Sequence, residues 1–314
     1  MALDEATTAF LTRMAENDGK PLHEMTPAEA RGLMASLGEM SGPGPEVARS
    51  EDADITTEDG SFPVRVLVPN DSPRAVIVYY HGGGWVIGDI DGCDTLGRTL
   101  AQRTGCAVVL VDYRLAPEHR YPTAVEDSWA ALCWVDEHMA DIAGGRVPLI
   151  VAGDSAGGNL SAIMAQRARD NGGLDIALQV LVYPVTDCDV DNASYVDPEN
   201  QLMLTRDSMI WFWDHYAPEA ASRRNVDACP GLATDLSGLP PAVVLTAEHD
   251  VLREEGEAYA ERLREAGVPV RHRRFDGQMH GFFTMVNVLP GSAAGIEYVT
   301  EEIGQHLTSQ PSLA

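Results

Sequence analysis

Apolar and polar positions along the chain follow two periods. Leu3, Thr7, Phe10, Leu11 and Met14 recur at helical spacing until Pro21 interrupts them. Thr26-Pro27-Ala28-Glu29 then supplies a helix start: Thr26 as N-cap, Pro27 in the first turn and Glu29 as the capping-box acid. Its apolar positions are Ala30, Leu33, Met34 and Leu37, and Gly42-Pro43-Gly44-Pro45 breaks it. From Ser50 to Pro69 the pattern turns strand-like, ending in Val64–Val68. Beyond that point, buried-type apolar runs alternate with helical stretches. The runs are 74–80, 106–112, 148–152, 176–183, 242–247 and 268–275; the helices are 94–104, 124–138, 159–170, 254–266 and a C-terminal one. Such alternation predicts an α/β fold with a mostly parallel central sheet and helices on both faces. One stretch breaks the rule. Between Thr186 and Asp227 there is no strand, but Thr205 caps a helix with Met209, Trp213 and Tyr216 on one face. That stripe reads either as packing onto the N-terminal helices or as the roof of a site. The expected organisation is a helical cap segment at 1–48, a core at 49–185, a cap insertion at 186–227 and the rest of the core at 228–314.

Composition narrows the class of partner. Net charge is −26, from 48 Asp+Glu against 22 Lys+Arg. A surface of that sign repels nucleic acid and anionic membranes, so neither is expected as a partner. It serves solubility, and tolerance of high salt is a sharper reading of the same charge. The five cysteines (Cys93, Cys106, Cys133, Cys188, Cys229) are odd in number and scattered, with no Cys-x-x-Cys pair. That pattern predicts reduced thiols rather than a disulfide framework or a zinc site. The first residues carry acids where a signal peptide carries bases, and no run suits a membrane span. A cytoplasmic protein is expected.

The candidate chemistry centres on Gly153-Asp154-Ser155-Ala156-Gly157-Gly158-Asn159, which follows an apolar strand and opens a helix. A Gly-x-Ser-x-Gly turn in that setting strains the serine backbone and lifts its hydroxyl above the sheet edge, which marks Ser155 as a nucleophile. A serine of this kind needs a base and an acid, in loops after later strands and in the order serine, acid, histidine. Asp250 follows the strand 242–247, and His280 lies in a glycine-flanked loop after 268–275. Glu248 and Asp276 compete for the acid's place, whereas His272 falls inside a strand and His249 in the acid loop. Oxyanion donors are expected from Ala156 and from His81-Gly82-Gly83-Gly84, because glycines let N–H groups approach a substrate oxygen.

These stretches, with Trp85, Asp112-Tyr113-Arg114-Leu115-Ala116-Pro117-Glu118, Asp250-x-Leu252-Arg253 and His280-Gly281-Phe282, resemble the hormone-sensitive lipase-like family of α/β-hydrolases, in its bacterial (family IV) carboxylesterase branch. The resemblance runs from about Ile77 to Phe283. It implies an α/β-hydrolase fold with a helical cap, and a serine carboxylesterase acting on short- to medium-chain esters. It implies Ser155 as nucleophile, His280 as base, Asp250 as acid, and Gly83, Gly84 and Ala156 as oxyanion donors. No metal or cofactor is implied, and the partner is a small-molecule ester. Tyr113–Glu118 is similar to a family segment that buttresses the active-site wall. Val251 departs from the proline usual after the acid, and the first fifty residues match only in general character. Trp85, Met34, Met209 and Trp213 are the expected pocket residues, with Phe10 a further contributor to its depth. The same serine machinery would suit an amidase, thioesterase or lactonase, and some proteins of this fold bind without catalysis. Family habit suggests homodimerisation through the edge strand 268–275, whose Arg271-His272-Arg273-Arg274 run reads equally as a charge-protected edge.

Overall fold

The computed structural model describes residues 2–16 and 19–309; Met1, Asn17, Asp18 and 310–314, which belong to the first and last expected segments, lie outside the described residues. The chain opens with α1 (Glu5–Ala15) and α2 (Pro27–Glu39), the latter started by the expected Thr26–Glu29 capping box. The strand-like stretch after it is a hairpin, β1 (Arg49–Thr57) and β2 (Gly60–Val68), turned at Glu58-Asp59. There follow β3 (Val76–Tyr80), α3 (Ile90–Thr104), β4 (Ala107–Val111), α4 (Thr123–Glu137), α5 (Met139–Ala143), β5 (Leu149–Asp154), α6 (Ala156–Asn171) and β6 (Ile176–Val182). Between β6 and the next strand lie only short helices: α7 (Ala193–Val196), α8 (Arg206–Tyr216) and α9 (Ala220–Arg223). The fold closes with β7 (Ala242–His249), α10 (Arg253–Glu265), β8 (Val270–Met279) and α11 (Pro290–Ser309).

The strands form one eight-stranded sheet in the order β1-β2-β4-β3-β5-β6-β7-β8. β1, β2 and β4 pair antiparallel, and every other pair is parallel. Alternation along the strands sends side chains to two cores. Val76, Val78 and Tyr80 join Val125, Leu132, Leu160 and Ile163 of α4 and α6 on one face. Ile77 and Tyr79 join Leu96, Leu100, Ile296 and Val299 of α3 and α11 on the other. Each fully buried Val, Ile or Leu contributes about 1.5–3 kcal/mol by leaving water, and a sheet covered on both faces collects this from both faces of β3 and β4, all of whose residues are buried.

Two boundaries differ from expectation by four residues each. α3 starts four residues early, because Asp89 caps it by accepting from Gly92 N at 2.7 Å. β8 continues through Asp276-Gly277, a pair that reads as a turn, because the register shifts there and Glu248 Oε2 accepts from Gly277 N at 2.7 Å in place of a ladder bond. No helix among the described residues is long and apolar enough to cross a membrane.

Candidate active site

Parallel pairing brings the chemistry to one end of the sheet. β5 ends at Asp154, paired with Val182 of β6, so Ser155 emerges beside the β6 terminus. β7 and β8 end with His249 paired to Met279, so the next residues, Asp250 and His280, leave their strands side by side. Ser155 has φ 54° and ψ −116°, a strained backbone that makes the sharp turn from β5 into α6. The turn needs glycine at 157, where a Cβ would lie 1.8 Å from the carbonyl oxygen of Tyr80.

His280 Nε2 lies 3.1 Å from Ser155 Oγ, and His280 Nδ1 lies 2.8 Å from Asp250 Oδ2. Asp250 is fully buried, and its other oxygen accepts from Leu252 N at 2.9 Å. The competing acids lie elsewhere: Glu248 is engaged by Gly277 N, and Asp276 is exposed. His272 Nε2 is 3.0 Å from Thr246 Oγ1, away from the serine.

The glycine loop after β3 faces the same serine turn. Gly82 N donates to Asp154 Oδ1 at 3.0 Å, and Tyr79 Oη donates to the same atom at 2.8 Å. Burial pushes the Asp154 carboxyl up, while these bonds oppose that shift. Gly83 and Gly84 have φ 111° and 57°, and their N–H groups donate to no protein acceptor among the described residues. Ala156 opens α6, where helix geometry leaves an N–H without an internal partner. All three N–H groups are therefore open to an incoming oxygen.

The loop is held from below and above. Below, Tyr113 Oη donates to His81 O at 2.8 Å and stacks on the His81 ring at 4.4 Å, and Ala116 N donates to Trp85 O at 2.8 Å. Arg114 anchors this segment by donating to both oxygens of fully buried Asp127. Above, Phe212 of α8 covers Gly84 so closely that a Cβ there would stand 2.2–2.7 Å from its ring atoms. Trp85 stacks on Tyr216 at 4.2 Å and lies 4.7 Å from Trp213.

The expected pocket residues are thus spread over two environments. Trp85, Met209 and Trp213 are fully buried in the core cluster that joins α8 to the loop, with Met34 of α2 half-buried against it, whereas Phe10 packs in the opposite core. The α8 stripe meets the glycine loop and also the short turn Leu22–Glu24. Sequence reading missed three contributors. Phe212 lies at i+3 from Met209, on the same α8 stripe as Trp213 and Tyr216, and that spacing was the available signal. Arg31 of α2 donates to Val86 O and Ala116 O, each at 2.9 Å, and pairs with Glu118, whose carboxyl it holds down at about 2. Tyr183, at φ 33°, sets its ring 4.5 Å from His280, and the Tyr-Pro pair closing β6 was the available signal. One cluster outside this site has metal-ligand character: Asp187, Cys188 and Cys229.

A model of the α/β-hydrolase fold matches residues 77–284. The carboxylesterase NlhH of Mycobacterium tuberculosis is 45% identical over 74% of this chain and 74% of its own. Ethyl acetate hydrolase of Pseudomonas putida is 35% identical over 98% of this chain and its whole length. The chain belongs to the hormone-sensitive lipase-like family of α/β-hydrolases. A thermostable esterase from Pseudomonas putida superposes with TM-score 0.91 at 35% identity, covering 98% of this chain and 99% of that one. An ester-hydrolase from the metagenome of Lake Arreo, complexed with a bipyridine phosphonate derivative, superposes equally well (TM-score 0.91, 35% identity, 98% and 100% covered). With relatives of this kind over most of its length, the family member described here is a carboxylic ester hydrolase.

Proposed function

We propose that this carboxylesterase hydrolyses short- to medium-chain esters through an acyl-enzyme on Ser155. Because a carboxylate only accepts, Asp250 fixes the proton on His280 Nδ1 and leaves Nε2 free to take the one from Ser155 Oγ. The serine oxygen attacks the ester carbonyl, and the N–H groups of Gly83, Gly84 and Ala156 receive the oxyanion. His280 returns its proton to the departing alkoxide, and water then repeats the sequence to release the acid. The observation that carries this reading is the unbroken series Asp250–His280–Ser155 beside three open N–H groups. The preference for short acyl groups rests on Phe212, which sits directly over the oxyanion glycine and limits depth beneath α8.

The test is hydrolysis of p-nitrophenyl esters from acetate to palmitate, with Ser155→Ala run beside the wild type. A maximum at short chains that vanishes in the variant is expected. Activity surviving Ser155→Ala would remove the serine from its role, and a maximum at palmitate would remove the shallow pocket.

A further inference from the structure

Cys188 and Cys229 stand at the two ends of the β6–β7 insertion, with residues 189–228 between them. Their sulfurs and a carboxylate oxygen of Asp187 all lie within 4.8 Å of one another. The backbones carrying them are stitched together. Asn159 Nδ2 donates to Val185 O at 2.9 Å and to Ala228 O at 2.8 Å, and Gly231 N donates to Thr186 O at 2.8 Å. The pair is asymmetric: Cys188 is half-buried and Cys229 fully buried. One sulfur is thus reachable from solvent, and the other stands behind it.

We propose that Cys188 and Cys229 form a reversible disulfide, made by reaction with a peroxide, that ties the two ends of the insertion together. In the first step the Cys188 thiolate attacks one oxygen of hydrogen peroxide. An S–O bond forms, the O–O bond breaks, and the departing hydroxide takes a proton to become water. Sulfur loses two electrons and the peroxide gains them. In the second step the Cys229 sulfur attacks the Cys188 sulfenic acid. The S–S bond forms, the S–O bond breaks, and the hydroxyl leaves as water with the Cys229 proton, which the Asp187 carboxylate is near enough to relay. Two thiols and one peroxide give one disulfide and two waters. Cys93, Cys106 and Cys133, whose thiols burial holds up, are the internal controls.

The experiment treats the full-length protein with a small excess of hydrogen peroxide in the presence of a chelator. Free thiols are then alkylated and the protein is digested with trypsin without reduction. Arg206, Arg223 and Arg224 lie between the two cysteines, so the bond joins peptide 170–206 to peptide 225–253. That species, lost on adding dithiothreitol, is expected, with the other three cysteines alkylated. Closing this loop should raise Tm by roughly 5 °C in the wild type and not in Cys188→Ser. Cys229→Ser should stop at a sulfenic acid on Cys188 that dimedone captures. Cys188 and Cys229 both alkylated after peroxide, or Cys188 accumulating as sulfinic acid without the joined peptide, would overturn the proposal.

Discussion

Replacing Gly84 by alanine tests the coupling between α8 and the glycine loop proposed to receive the oxyanion. The new Cβ would stand 2.2 Å from the nearest ring atom of Phe212, where ordinary contact begins at 3.4 Å. Phe212 is a buried ring fixed by its helix, so it cannot swing away as a flexible side-chain tip could. The shortfall of about 1.2 Å must be met largely by the loop. A donor serves an oxyanion only at about 2.7–3.1 Å, so a shift of this size removes the Gly84 N–H and disturbs Gly83. Losing one donor costs about 3–4 kcal/mol in the transition state, or roughly 10²–10³ in kcat. The positive φ of 57° adds about 1–2 kcal/mol of strain, which appears as lower stability. The assay is steady-state hydrolysis of p-nitrophenyl acetate beside thermal unfolding of Gly84→Ala, Phe212→Ala and the double variant. A kcat loss of the stated size with KM nearly unchanged is expected, partly restored when Phe212→Ala removes the ring. Turnover of Gly84→Ala within about threefold of wild type would show that the loop supplies no donor worth that energy.

Asp250→Asn should keep the fold and cut kcat by roughly 10⁴, since the amide no longer enforces the His280 tautomer, whereas Glu248→Gln should cost little. Near-wild-type turnover in Asp250→Asn would transfer the acid's role to Glu248. Asp112 gives a pH signature: burial, then the neighbouring Asp89 charge, raise its carboxyl to about 6 from an ordinary 3.8. The folded state therefore keeps a proton that the unfolded chain has lost. Its stabilising effect is full below pH 4 and falls away as pH rises to about 6, by about 3 kcal/mol. Urea midpoints between pH 4 and 7 should show this slope in the wild type and a flatter one in Asp112→Asn; equal slopes would contradict it.

The parallel core was legible because its strands are short β-branched runs and its helices carry 3.6-residue stripes, both of them local signals. The meeting of Ser155, Asp250, His280 and the glycine loop was legible because each follows a strand, and parallel strands deliver all their C-terminal ends to one edge. What remained hidden depends on contacts across the fold. The register that sets His249 against Met279 involves a bulge where Asp276-Gly277 mimics a turn, and Gly277 is held there by the Glu248 side chain on its N–H and by Asp4 N on its carbonyl, both from elsewhere in the chain. Arg31 looks like a solvent-facing helix residue until its guanidinium is seen on Val86 O, Ala116 O and Glu118. Phe212 shares the helical stripe of Met209, Trp213 and Tyr216, but the spacing does not tell what it covers, which is Gly84, a residue distant in the chain and marked only by lacking a side chain.

The central claim is that Ser155 is the nucleophile, and an activated phosphonate ester tests it most directly, because it traps that atom as a stable adduct. Treated with one, the enzyme should lose activity in step with a single adduct in peptide 147–167, and fragment ions should place it on Ser155 rather than Ser161. Complete inactivation with Ser155 unmodified, or an adduct elsewhere that accounts for the lost activity, would contradict the account.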